Sequence, residues 1–144
     1  MSDPSRGLDH PAAAAAPHAD QQRPLTVMLV AGEHSGDILG AKLMAAISAR
    51  EGGRVRYLGV GAEGMQAQGL RSLFAMTDVA VMGPLSILRR LPRIVRRAYR
   101  TVDVAVAAGP DAVVIIDAPE FTHPIARRIR RQRPEIPIIN YVSP

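Results

Sequence analysis

Residues Leu25 to Asp37 read LTVMLVAGEHSGD. Leu25 to Ala31 is a nearly continuous apolar run, β-branched in part, which is the pattern of a strand buried on both faces of a parallel sheet. Gly32 ends it. From Asp37 to Arg50, apolar Ile38, Leu39, Leu43, Ala46 and Ile47 recur at helical spacing, and Gly52 and Gly53 stop the helix. A buried strand, a glycine-bearing turn and a helix open an α/β unit.

The same alternation continues outward. Arg54 to Val60 reads as a second strand, Ala62 to Gln68 as a short helix stopped by Gly69, and Ser72 to Phe74 as a brief third strand. Pro84 to Ala108 reads as a long helix, broken near Pro92 because proline removes an interior hydrogen bond. Asp111 to Ile116 is a fourth strand, Phe121 to Arg131 a helix and Ile136 to Val142 a fifth strand. Strands alternating with helices predict a Rossmann-like α/β domain, a parallel sheet with helices on both faces and right-handed crossovers.

Length and composition narrow the rest. At 144 residues the chain has room for one core. It holds no cysteine, which excludes disulfides, thiolate chemistry and cysteine-based zinc sites. The net charge of +5 is almost entirely arginine, with Lys42 the lone lysine. Aromatic residues are 3% of the chain, too few to stack single-stranded bases, so no nucleic-acid partner is expected. No stretch approaches the roughly 20 apolar residues of a membrane span. Residues Met1 to Pro24 carry Asp3, Asp9, Asp20, four prolines and an alanine run, without the apolar centre of a signal peptide, and read as a flexible tail. His10 and His18, isolated within it, make no metal shell. The chain stops at Tyr141-Val142-Ser143-Pro144, at a strand tip, where a doubly wound domain would continue, so a truncated domain is expected.

In open α/β sheets, ligands bind beyond the carboxyl ends of the strands. Two such ends carry unusual chemistry. The first is Gly32-Glu33-His34-Ser35-Gly36-Asp37, which is neither GxGxxG nor a P-loop nor GxSxG. Glycines let a ligand approach the backbone, but Glu33 and Asp37 would repel a phosphate. The loop suits a hydroxyl-rich ligand such as a sugar, with Glu33, Ser35, Gly36 and Asp37 as candidate binding residues. Ser35 or Asp37 could instead cap the helix. The second is Ile116-Asp117-Ala118-Pro119-Glu120-Phe121. Asp117 follows buried apolar positions, and burial would raise its pKa and suit it to act as a general base toward a hydroxyl. It too could simply cap the next helix. His123 could relay to Asp117 or be an ordinary surface or core histidine.

At 100° per residue, Arg89, Arg90, Arg93, Arg96, Arg97 and Arg100 fall within an arc of about 120°. Leu85, Ile87, Leu88, Leu91, Ile94, Val95, Ala98, Tyr99 and Val102 fill roughly the other half of the helix, enough to pack on the sheet and leave some surface exposed. The stripe, with Arg89, Arg93, Arg96 and Arg97 foremost, could contact anionic lipid headgroups or a phosphorylated ligand, or be a solvated face.

Five segments in this order resemble the lipid-A-disaccharide synthase family of GT-B glycosyltransferases: Ala31 to Asp37, Gly59-Val60-Gly61 with Met65, Val81-Met82-Gly83, Ile116 to Phe121, and Tyr141-Val142-Ser143-Pro144. The resemblance runs from about Leu25 to the last residue. It departs at His34, where a small residue is expected. It implies condensation of UDP-2,3-diacylglucosamine with 2,3-diacylglucosamine 1-phosphate, giving lipid A disaccharide 1-phosphate and UDP with inversion. It implies no metal or other cofactor, Asp117 as base, and Glu33, Ser35 and Asp37 along the acceptor or reacting-sugar side. Residues 25–144 would be the amino-terminal, acceptor-side half, acting at the cytoplasmic face of the inner membrane. The UDP-sugar-binding domain of that fold has no counterpart in these residues, so the 144-residue chain alone is expected to be inactive. Two other readings stay open: a different Rossmann-like nucleotide-binding module, and a non-enzymatic membrane-surface module using the arginine stripe.

Overall fold

The computed structural model describes residues 23–79 and 83–142. Most of the amino-terminal tail, with His10 and His18, lies outside the described residues, as do Val81, Met82, Ser143 and Pro144. Arg23, assigned to the tail from sequence, is instead tied to the body: its guanidinium pairs with the Asp111 carboxylate.

The elements in chain order are β1 (Leu25–Ala31), α1 (His34–Arg50), β2 (Val55–Val60), α2 (Glu63–Ala67), β3 (Arg71–Ser72), a 3-10 turn (Met76–Asp78), α3 (Pro84–Ala108), β4 (Ala112–Ile116), α4 (Pro119–Gln132) and β5 (Ile138–Tyr141). All five strands are parallel, in the order β3-β2-β1-β4-β5. This is the Rossmann-like sheet expected. α1 packs with α2 and α3 with α4, and right-handed crossovers put the two pairs on opposite faces. The strand order reverses between β1 and β4, which makes their carboxyl ends the topological switch point. The register pairs Ala31 with Ile116, so Gly32 and Asp117 leave the sheet side by side.

The core explains the uniform apolar character of β1 and β4. Met28, Leu29 and Val30 of β1 and Val113 and Ile116 of β4 are fully buried, because helices cover both faces. Met44, Met65, Ile125 and Ile129 close the layers above and below.

Two helices differ from expectation. α1 starts three residues early, at His34, with Glu33 in extended backbone before it. Its buried face is Gly36, Asp37, Gly40 and Met44, while Ile38 is exposed. Small residues let this helix lie close to the sheet, so its apolar side chains do not mark its inner face. α3 is continuous through Pro92 instead of broken there. Pro92 and Leu88, whose carbonyl loses its partner, both lie on exposed helix surface, so water can take the lost bond.

Candidate functional site

The loop after β1 and the loop after β4 meet at the switch point. Their closeness depends on two glycines. A Cβ on Gly32 would stand 2.6 Å from the Cβ of Ala118. One on Gly36 would meet Ala31 Cβ and the Ile116 carbonyl oxygen, each at 3.3 Å. The first turn of α1 is therefore pressed against the end of β4.

On the β4 side the backbone is strained. Asp117 and Ala118 sit consecutively in the left-handed region, at φ 53° and 43°. Such residues cost of order 1–3 kcal/mol each and persist only where surrounding structure holds them. Thr122 does part of the holding, with its hydroxyl 2.9 Å from the Asp117 carbonyl oxygen and 3.1 Å from that of Ala118. Pro119 opens α4 directly afterwards, where a missing N–H is harmless.

The strain turns the Asp117 side chain toward α1. The Ser35 hydroxyl donates to Asp117 Oδ2 at 2.9 Å, and the Ala118 amide donates to Oδ1 at 2.9 Å. Asp117 does not cap α4, which has no side-chain cap. Nor is it buried as the sequence suggests; it is partly exposed at the sheet edge. His123, four residues into α4, takes no part in the carboxylate's two hydrogen bonds.

The four residues proposed from the first loop divide. Glu33 and Ser35 line a cleft of about 880 Å³, together with Gly32, His34, Ala118, Glu120 and Phe121. Gly36 and Asp37 do not. Gly36 faces Ala31 and Ile116. Asp37 is 1% exposed, and its carboxylate accepts the amides of Ala62 at 2.7 Å, Gly64 at 2.9 Å and Met65 at 3.1 Å. It therefore caps α2 from a distance, supplying acceptors that the Ala62 side chain lacks. Of the four candidates, Glu33 and Ser35 are thus the two whose side chains the fold leaves facing the cleft.

The cleft also has an apolar wall that the strand-end motifs did not announce: Val79, Ile87, Leu91, Ile94 and Phe121. Phe121 is braced edge-to-face on Phe74, with ring centroids 6.4 Å apart. Glu120 and His34 add polar groups beside Glu33. The apolar half of α3 was visible in the sequence, but which part of it faces the sheet ends was not.

The arginine stripe is not uniform. Arg97 donates to Asp78 at 2.9 Å and lies 5.1 Å over the Phe74 ring, with only 27% of its side chain exposed. Arg93 reaches the same carboxylate at 3.8 Å, and Arg90 donates to the Thr77 carbonyl. These three lean onto the 3-10 turn. Arg89, Arg96 and Arg100 point outward and form no ion pair among the described residues. Arg97 thus packs between Asp78 and Phe74, more enclosed than its neighbours on the stripe. The other edge of α3 exposes Leu85 at 76% and Leu88 at 72%, with Val95 and Tyr99 about half exposed. No described helix is long and apolar enough to cross a membrane.

Comparison with known proteins gives the lineage. A family model described as lipid-A-disaccharide synthetase matches residues 27–144. The chain is 49% identical over 119 residues to the lipid-A-disaccharide synthase of Rhodopseudomonas palustris, covering 83% of this chain and 30% of that protein. It is 48% identical over 118 residues to that of Nitrobacter hamburgensis, covering 82% and 30%. For the protein of the same name from Rhodospirillum centenum the identity is 45% over 122 residues, covering 85% and 30%. The chain thus spans about 30% of the length of the curated relatives it matches. With a family model matching residues 27–144, from within β1 through both strand-end loops, the chain belongs to the lipid-A-disaccharide synthase family.

Proposed function

We propose that residues 25–144 form the acceptor-side domain of a glycosyltransferase of lipid A biosynthesis. The reaction joins UDP-2,3-diacylglucosamine to 2,3-diacylglucosamine 1-phosphate with inversion and releases UDP. The observation that carries this reading is Asp117, held in strained backbone at the carboxyl end of β4 with its carboxylate oriented by Ser35. An inverting transfer needs a base to take the proton of the attacking hydroxyl. Asp117 is that base, and Ser35 fixes the direction of its carboxylate. Glu33 and Ser35 meet sugar hydroxyls, and Glu33 with Glu120 disfavours a phosphate at this end of the cleft. No metal or cofactor takes part.

The protein works as a peripheral enzyme at the cytoplasmic face of the inner membrane. Support comes from α3, whose outward row of Leu85, Leu88, Val95 and Tyr99 stands beside outward-pointing Arg89, Arg96 and Arg100. Apolar insertion plus basic flanks is the physics of binding to anionic lipid.

The test is a chimera in which residues 25–144 replace the matching stretch of the Rhodopseudomonas palustris synthase. Asp117→Asn in that chimera is expected to lower UDP release by about 10²–10⁴-fold with the fold intact. Turnover within tenfold of the parent removes Asp117 as the base. The 144-residue chain alone is expected to give no sugar transfer, and clear turnover refutes that part.

A further inference from the structure

Among the described residues three polar side chains are buried: Asp37, Thr101 and Thr122. Asp37 caps α2. The two threonines sit on neighbouring helices, yet their hydroxyls are used differently. Thr101, on α3, donates to the Arg97 carbonyl four residues back at 2.8 Å, the ordinary bond of a threonine inside a helix. Thr122, in the first turn of α4, likewise reaches the carbonyl four residues back, that of Ala118, at 3.1 Å. Its shorter bond, at 2.9 Å, goes one residue further, to the carbonyl of Asp117 outside the helix. A hydroxyl carries one proton, so that proton is shared between the carbonyls of the two residues held at positive φ.

The Asp117 carbonyl and the Ala118 amide belong to one peptide unit, which is planar. The amide end of that unit donates to Asp117 Oδ1 at 2.9 Å, while its carbonyl end accepts the Thr122 hydroxyl. Rotating the unit breaks both bonds together. We infer that Thr122 is a positioning residue for the base: by holding the 117–118 peptide unit at its carbonyl end, the hydroxyl keeps the amide end on Oδ1, as Ser35 keeps Oδ2. This deepens the glycosyltransferase reading and rests on Asp117 being the base. Two consecutive residues other than glycine at positive φ tend to relax, and relaxing turns this peptide unit. Without the Thr122 hydroxyl the amide leaves Oδ1, and the carboxylate is held by Ser35 alone. The anchor is rigid. Helical side chains tilt toward the amino terminus of their helix, so the hydroxyl reaches back across the first turn of α4. Phe121 before it and Ile125 after it are buried, and Phe121 packs edge-to-face on Phe74.

The experiment compares Thr122→Val, which keeps the shape of the side chain and removes the hydroxyl, with Thr101→Val. The second loses a hydrogen bond from an equally buried threonine that touches neither strand-end loop, and serves as the control. In the chimera, Thr122→Val should lower kcat by about 5–30-fold while KM changes by no more than about twofold. Thr122→Ser, which keeps the O–H, should recover most of that loss. Thr101→Val should lower Tm to a similar extent as Thr122→Val and leave kcat within about twofold of the parent. In the 144-residue chain, isotope-labelled for amide NMR, the Ala118 amide proton should resonate downfield of an unbonded alanine amide. It should move upfield in Thr122→Val and stay in place in Thr122→Ser and Thr101→Val. An equal kcat loss in Thr101→Val, a serine variant as impaired as the valine one, or an Ala118 proton unmoved by Thr122→Val overturns the inference. So does an unbonded Ala118 position in the unsubstituted chain, a measurement that needs no variant to fold. The Ala118 resonance reports the hold on the carboxylate whether or not Asp117→Asn abolishes transfer, so this inference and the catalytic reading fail separately.

Discussion

Gly32→Ala tests whether the two strand-end loops touch as described. The added Cβ would lie 2.6 Å from Ala118 Cβ and 3.4 Å from Phe121 Cδ1. Carbon atoms in good contact sit about 3.5–4.0 Å apart, so the loops must separate by about 1 Å. Neither neighbour is the free end of a flexible side chain. Ala118 Cβ rides on backbone already at φ 43°, and Phe121 is braced by Phe74. Overpacking of this kind costs about 1–3 kcal/mol. For a domain of this size that is a fall in Tm of about 4–12 °C. In the chimera, separating Ser35 from Asp117 should also lower turnover, at most by the roughly 5–30-fold of losing that hydrogen bond outright. Ala118→Gly supplies the other half of a double-mutant cycle. It deletes the atom the new methyl would strike and places glycine where φ is positive, so alone it should be near neutral in stability. Gly32→Ala with Ala118→Gly should recover most of the lost Tm. Additive effects, or a Gly32→Ala variant with unchanged Tm and turnover, would refute the proposed contact between the loops.

Other outcomes follow from the same geometry. Ser35→Ala in the chimera should lower kcat by about 5–30-fold with little change in KM, the low end of a charged hydrogen bond at an exposed site, and Ser35→Thr should restore part of it. Asp37→Ala leaves three amides at the start of α2, one buried and two part-buried, without their acceptor and should cost about 2–5 kcal/mol in urea unfolding, whereas unchanged stability would disprove the remote cap. The hydrogen bond from Arg23, and next that from the Thr26 amide, lowers the Asp111 pKa below 3.8, the value expected when unfolded. Its stabilisation is therefore present above about pH 4 and is lost as pH falls from there through the depressed folded value. Asp111→Asn should flatten that acid limb in denaturation midpoints taken from pH 5 downward, and an unchanged slope would show the pair contributes nothing. Arg89→Glu with Arg96→Glu should weaken binding to anionic vesicles at least tenfold without lowering Tm. Arg97→Glu should instead lower Tm, because its guanidinium packs between Asp78 and Phe74.

The sequence was enough to place every strand within about two residues of its position. Burial on both faces forces β1 and β4 to be apolar at each position, and that signal is local. The order of elements then implies parallel pairing and right-handed crossovers, hence the switch point and the two loops flanking it. The position of Asp117 was legible for the same reason: an acid directly after a buried strand must stand at the carboxyl end of the sheet. The helices were less legible. α1 presents glycines to the sheet, and no periodicity of large apolar residues can report a face defined by the absence of side chains.

What only the tertiary structure decided is where side chains point when partners distant in sequence compete for them. Ser35 and Asp37 are two residues apart in one loop, yet helical rotation sends Ser35 to Asp117 and Asp37 to the amides of α2. Six arginines share one helical arc, yet Asp78 and Phe74 draw Arg97 inward while Arg89 and Arg96 remain outside. The apolar arc of α3 likewise divides into a cleft edge and an outward edge only once the sheet ends lie beside it. Sequence fixes hydrophobic period and strand order, because those depend on neighbours along the chain. The assignment of each polar group to a partner depends on which distant atoms arrive within about 3 Å, and that distance exists only in the folded chain.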